Sequence, residues 1–479
     1  MKDIIENLSS LFTADNIIPL SGSDSAEYQF LSDRINNEHR QAVAVVTPSN
    51  LDELQKLLVF SADQAFSLFN LLNPGEINTA PIPAKGPIVI IDLKKLNAII
   101  EVNTKAAYAL IEPGVSYAQL NQHLESNGIP FVVDFDKNST QSVSGGISNR
   151  SYGYTPYGDH LMMQCGMEVM LASGRLIRTG MGAMPNSDSW QLFKYGFGPY
   201  IDGTFTQSSL GIITKVGIWL MPKAPAYKPF ALQLPNEAAL NQAVEIMRGM
   251  KINMLVPNTV TVASARSDAL QFADENVDAI GDNNAMASKH SLGQWNMYGA
   301  LYNIPANVDF LWQAINGAFG QIEGSKFLLD DATASNTVWA QREKKMNGRF
   351  NSINKNLAGY SSINVHFASP IDGDDAVKMQ GLIEQVSNPG QLKMISQFAL
   401  TWRTMMTQIQ VLYPSGDAEK LAQARALTQQ LINDFSAQGY PSCLVDADMQ
   451  EAVDALSLDG LKTLKQRVKK ALDPQSVFG

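Results

Sequence analysis

"YGYTPYGDHLMMQCGMEVMLASGRLIRTGMGAMPNS" runs from Tyr152 to Ser187, and "WQLFKYGFGPYIDGTFTQSSLGIITKVGIWLMP" from Trp190 to Pro222. From "MEVMLASGRLIRTG" to "GIITKVGIWLMP" the chain is rich in strand-forming residues and in turns. Tyr154, Tyr157, Asp159 and His160 fall together in one turn-rich stretch. Their plainest reading is structural, tyrosines and an Asp-His pair tying a loop together, because most polar networks satisfy buried groups. Just upstream, "SVSGGIS" at 142–148 supplies Gly145 and Gly146, which let backbone approach a neighbour closely.

Working outward, the first half alternates strands and helices, as a layered α/β or α+β fold requires. "QAVAVVTPS" at 41–49 reads as a strand ending in a turn, and a helix starts at Ser49 or Asn50 with acidic residues in its first turn. "PIVIIDL", "AIIEVN" and "YALIEPGV" are β-rich runs. "SYAQLNQHLESNG" is a helix with a capping box at Ser116 and Gln119 and a stop at Gly128. "KAPAYKP" at 223–229 carries two prolines and marks a domain boundary. Beyond it, "NEAALNQAVEIMRGM" and "DAEKLAQARALTQQLINDFSAQG" have helical spacing, while "QWNMYGALYN" and "SSINVHFASPI" alternate like strands. The last helix, "SLDGLKTLKQRVKKALD", is expected to return to the first domain.

The chain has 479 residues, room for two or three domains. A net charge of −10 argues against sequence-independent nucleic-acid binding, which needs a basic surface. The two cysteines, Cys165 and Cys443, have no metal or redox spacing and read as buried thiols in a reducing compartment. No metal ligand set is suggested. "MKDIIENLSS" is not a signal peptide, and no stretch approaches the roughly 20 apolar residues of a membrane span. The expected location is cytoplasmic.

The stretch from Gly153 to Pro222 closely resembles the vanillyl-alcohol oxidase and 4-cresol methylhydroxylase flavoproteins, and the likeness runs over nearly the whole chain. The resemblance implies an α+β fold: a two-part FAD-binding-type domain at 1–224 and 440–479, and an α+β cap domain with an antiparallel sheet at 225–439. It implies oxidation of para-substituted phenols by hydride transfer to flavin N5 through a quinone methide. It puts Tyr154 at the flavin's active face. Gly145 and Gly146 become candidate cofactor-binding residues, as do Gly211 and Ile213 on a strand whose backbone can pair with an adenine edge.

The family's machinery is altered at several points. Where the family carries Arg-Asn-x-Gly-Tyr-Gly-Gly around the FAD diphosphate, "LNPGEINTAPIPAKGPIVIIDL" from Leu72 to Leu93 offers Asn73, Pro74, Glu76, Ile77, Asn78 and Thr79. Pro74 removes an amide donor, and residues with a Cβ replace glycines. Glu76 sets a carboxylate near a dianion, a clash of about 1–4 kcal/mol at ~4 Å and surface-like dielectric. A shifted loop using the Asn70, Asn73 and Gly75 amides is the alternative. The cap position that bears the covalent flavin anchor falls at Met406 or Thr407, neither able to form a histidyl or tyrosyl bond. The phenolate-binding Tyr-Arg pair falls at Cys443 and Leu444, with Tyr440 nearby but no arginine. Asp134 or Asp136 is the candidate acid near N5. His366 reads as a sheet histidine rather than a catalyst, and Met162, Met163, Met167, Met405 and Met406 as core packing before pocket lining.

Two readings follow. In the first, this is a degenerate family member, impaired in FAD binding and oxidation, that serves as a binding or assembly subunit. It forms a homodimer or a heteromer with an active flavoenzyme paralogue. In the second, it is an FAD-dependent oxidoreductase that holds its flavin noncovalently and accepts a phenolic or related small aromatic ligand.

Overall fold

The computed structural model describes residues 2–20, 28–64, 66–72, 79–136, 138–273, 275–328, 337–348, 357–387 and 392–479. The diphosphate-loop substitutions at Asn73, Pro74, Glu76, Ile77 and Asn78 therefore lie outside the described residues, as does the alternative grip through Gly75.

Three layered units carry the described residues. A small sheet sets Arg40–Val46 parallel to Gly86–Asp92, which is parallel in turn to Ser67–Leu71; Ile17–Pro19 adds an antiparallel edge. Its central strands are apolar on both faces, because a helix covers each side: Leu51–Asp63 packs through Leu54, Leu57 and Leu58, and Gln29–Ile35 through Leu31 and Ile35. The helix Leu51–Asp63 starts as the sequence dictates, with the Asn50 side chain accepting from the Glu53 amide. The chain end closes this layer. Val477 and Phe478 are buried against Leu68 and Val89, and Leu68 N–H donates to Val477 O at 2.7 Å.

The second sheet is antiparallel, in the order Ile99–Asn103, Tyr108–Ile111, Ile212–Trp219, Gln164–Met170, Leu176–Arg178. The helix Tyr117–Ser126 lies against it. Ser116 caps this helix through the Gln119 amide, but the Gln119 side chain donates to Asn97 O instead of reaching back, so only half of the expected capping box forms.

The third unit is an eight-stranded antiparallel sheet, ordered Lys326–Leu328, Ala226–Leu234, Trp295–Asn303, Val260–Ser264, Met394–Leu400, Thr404–Pro414, Tyr360–Pro370, Ser442–Val445. Strand alternation divides its residues cleanly. Met405, Ile409, Val411, Ile363, Val365 and Phe367 bury against the helices Glu237–Ile252, Gly373–Val386 and Ala418–Ala437. Asn364, His366, Ala368, Met406 and Gln408 point the other way, into a cavity. The strand Ser442–Val445 pairs with this sheet through Val365, His366 and Phe367, although it follows the expected boundary at 440. Backbone pairing, not composition, assigns an edge strand to its sheet.

Candidate functional site

The short helix Val143–Ser148 stands where the three units meet, with Ser142 Oγ accepting from the Gly145 amide at 2.8 Å and donating to Leu72 O. Three cavities surround it. The largest, about 300 Å³, lies between this helix and the open face of the eight-stranded sheet. Gly146, Arg150 and Tyr152 form one wall, and His366, Met406, Gln408, Cys443 and Leu444 the other. A second, about 100 Å³, is walled by Pro113, Gly114, Ser142, Gly145 and Ile213. A narrow third joins them past Ser148, Gln207, Gly211 and Ile213.

All four glycine and isoleucine candidates thus border the cleft, but packing already accounts for two of them. A Cβ on Gly146 would collide with the Tyr117 hydroxyl, and one on Gly211 with Val169 Cγ1. Tyr117 is held there by His160, whose Nδ1 meets both the Tyr117 hydroxyl, at 3.0 Å, and the Ser151 hydroxyl, at 2.9 Å. Burial pushes the His160 imidazole down to about 3, so it stays neutral. Asp159 caps the helix His160–Met163 through the Met162 amide. Asp134 accepts from the Thr155 amide at 2.7 Å, and burial raises its carboxyl to about 6. Asp136, not Asp134, lines the large cavity.

Tyr154 is not among the residues that wall that cavity. It is buried beneath the outer half of the sheet with Ala231, Tyr298, Ala300 and Trp339. Its hydroxyl accepts from Arg342 Nη1 at 3.2 Å. Burial would raise this phenol, but Lys345 and Arg342 outweigh it and hold the group below its ordinary value. Arg342 is itself buried and forms an ion pair with Asp268 at 2.6 Å. Sequence reasoning missed this cluster because its members come from distant elements; only the buried charge pattern identifies it.

At the edge of the cavity, Arg34 bridges the first unit to the sheet. It donates to Asp446 at 3.0 Å, to Asp448 at 2.8 and 2.5 Å, and to Ser362 O at 2.9 Å. Asp446 in turn accepts from the Asn364 amide at 3.0 Å. Both Asn364 and Asp446 line the cavity, so this pairing sets its wall.

Comparison with known proteins identifies the family. The family model described as an FAD binding domain matches residues 42–180. The 4-cresol dehydrogenase (hydroxylating) flavoprotein subunit of Pseudomonas putida is 30% identical over 494 residues, which cover 99% of this chain and 94% of that protein. The chain belongs to the vanillyl-alcohol oxidase and 4-cresol methylhydroxylase flavoprotein family. The structure of p-cresol methylhydroxylase with substrate bound superposes with a TM-score of 0.89 at 29% identity, covering 100% of this chain and 95% of that one. The 4-ethylphenol oxidase of Gulosibacter chungangensis, in its isoeugenol complex, gives 0.88 at 25% identity, covering 99% and 95%.

The cofactor of this family is FAD, and the cleft offers it room at both ends. The cavities on either side of the helix Val143–Ser148 are unfilled by side chains, and Ser148 Oγ, buried beside the narrow passage, has no protein partner among the described residues. Gly145, Pro113 and Ile213 would border a cofactor in the smaller cavity, and Gly146, Asp136 and Met406 one in the larger. Met406 faces the large cavity, whereas Thr407 points to the helices and contacts Met379 Sδ. Cys443 and Leu444, the positions expected to replace the phenolate pair, both wall the cavity. Tyr440 does not; its hydroxyl donates to Asp375 at 2.6 Å on the far side of the sheet.

Proposed function

We propose that this chain is a degenerate member of the family, impaired in FAD binding and in phenol oxidation, that serves as a binding or assembly subunit. The observation that carries this reading is the composition of one wall. Met406, Cys443 and Leu444 stand on the cavity where a covalent anchor and a phenolate-stabilising pair are needed. A thioether and an aliphatic chain donate no hydrogen bond. Cys443, unlike the buried Cys165 and against the expectation of two buried thiols, is exposed at the surface; the protein packed around its sulfur still raises the thiol to about 11, so it is protonated at neutral pH, and a thiol is only a weak donor. Those three positions therefore supply no strong donor to a phenolate, although His366 and Gln408 share their wall and Arg150 and Tyr152 face them, and any FAD taken up is held noncovalently.

An assembly role is supported by the exposed aromatic run Phe193, Tyr195, Phe197 and Tyr200, of which Phe197 is 90% exposed. Exposed apolar groups clustered in this way mark interaction surfaces. A homodimer or a heteromer with a flavoenzyme paralogue uses such a face. No helix among the described residues is long and apolar enough to cross a membrane.

One observation favours the second reading, an FAD-dependent oxidoreductase acting on a phenolic or related small aromatic molecule: the 300 Å³ cavity remains open, within the size range of small-molecule sites. Flavin content separates the two. The purified full chain is examined for visible flavin absorption before and after incubation with FAD, and the protein is then precipitated with acid. The proposal expects a colourless preparation, weak uptake, and all flavin released into the supernatant. Stoichiometric FAD as isolated, or flavin retained in the pellet, overturns it.

A further inference from the structure

The cavity wall holds one side chain whose polarity is fixed from a distance. Gln397 and Gln408 sit directly opposite on neighbouring strands, and His366 is opposite Gln408 on the next strand. Gln397 Oε1 lies 3.0 Å from Arg342 Nη1, and Gln397 Nε2 lies 2.6 Å from Gln408 Oε1. Arginine can only donate hydrogen bonds. The Gln397 carbonyl must therefore face Arg342, its amide nitrogen must donate to Gln408, and the Gln408 carbonyl is consumed as acceptor. The remaining Gln408 NH₂ has no protein acceptor among the described residues, and Gln408 lines the large cavity. The starting point cannot easily turn over, because Arg342 is buried against Asp268, which also accepts from the Tyr298 hydroxyl at 2.7 Å.

We propose that Gln408 is a specificity-determining hydrogen-bond donor of the cavity, selecting a planar ligand group that presents a carbonyl or carboxylate oxygen, and that Gln397 and Arg342 are its positioning residues. The inference is independent of whether the chain oxidises anything. The same acceptor chemistry has two sources, a flavin ring carbonyl or a separate small molecule, and the test distinguishes them.

The probes are benzoate and benzamidinium, which share a planar shape, one carrying only acceptors and the other only donors. Each is titrated calorimetrically into the full chain, with FAD titrated in parallel. Wild type binds benzoate in preference to benzamidinium. Gln408→Met weakens benzoate about fivefold to tenfold, the loss of one hydrogen bond, without improving benzamidinium. Gln397→Glu is the decisive variant. A carboxylate must accept from both Arg342 and Gln408, so the Gln408 amide turns over and the preference reverses. Gln397→Met breaks the relay without adding charge, and brings the two probes toward parity while thermal melting confirms the fold. If the acceptor belongs to FAD, Gln408→Met weakens FAD uptake by the same factor and leaves benzoate unmoved. An unchanged preference in Gln397→Glu, or a Gln408→Met variant with wild-type affinity for both benzoate and FAD, overturns the proposal.

Discussion

Replacing Arg34 with methionine tests how the first unit is fastened to the cavity wall. The guanidinium is almost fully buried and makes four hydrogen bonds, to Asp446, twice to Asp448 and to Ser362 O. Arg34→Met leaves Asp446 with only the Asn364 amide and side chain, and leaves Asp448 to Arg425 alone. Breaking a buried pair by removing one partner costs about 3–5 kcal/mol. Unfolding entropy of about 2.1 cal/mol/K per residue gives roughly 1 kcal/mol/K for a chain of 479 residues, so the melting temperature should fall by about 3–5 °C. The loss should also depend on pH with a defined sign. Burial already raises the Asp446 carboxyl, and Arg34 opposes that rise. Without Arg34 the folded-state value climbs further above the unfolded one. Protonation in the folded state then relieves the penalty at acid pH, and the penalty is fully felt once the pH exceeds the raised value. Scanning calorimetry of both proteins between pH 5 and pH 8 reads this directly. The triple variant that adds Asp446→Asn and Asp448→Asn should recover part of the loss, because no unpaired charge remains. A shift below about 1 °C, or a larger loss at pH 5 than at pH 8, refutes the reasoning.

Three further outcomes are specific. Burial lowers the Lys251 ammonium to about 7, against about 10.4 in an unfolded chain, so the penalty is complete below pH 7 and fades as the pH rises toward the unfolded value. Lys251→Met should therefore stabilise the protein by about 1–3 kcal/mol at pH 6, less at pH 9, as denaturant melts would show. Gly146→Ala should destabilise by about 1–3 kcal/mol through its clash with the Tyr117 hydroxyl, and Tyr117→Phe in the same chain should return part of it; no rescue would mean that the glycine serves something other than packing. Glu76→Gly should tighten FAD at least about fivefold in equilibrium titration if the carboxylate opposes the diphosphate, and no change would remove that charge argument.

Much of the architecture can be read in the sequence because local signals and tertiary packing agree. Asn50, Ser116, Asn236 and Asp417 each cap a helix that begins at the next residue. The alternation in "SSINVHFASPI" sets Asn364, His366 and Ala368 on one face, and the same logic sets Met406 beside Gln408. The register that assigns Met406, Cys443 and Leu444 to the family's missing groups also brings them to one cavity. Other features depend on separations that no local pattern encodes. Tyr154 is drawn beneath the sheet by Arg342, 188 residues away. Asp268, Arg342, Gln397 and Gln408 become a relay only after four elements meet. Ser442–Val445 becomes the edge of the eight-stranded sheet because Tyr360–Pro370 offers it a pairing partner.

The most direct measurement is anaerobic addition of 4-cresol to the full chain after saturation with FAD, following the flavin's visible absorption. With no strong donor at Met406, Cys443 or Leu444 to stabilise a phenolate, the flavin should stay oxidised over hours. Bleaching within seconds, with re-oxidation on admitting air, would contradict the account.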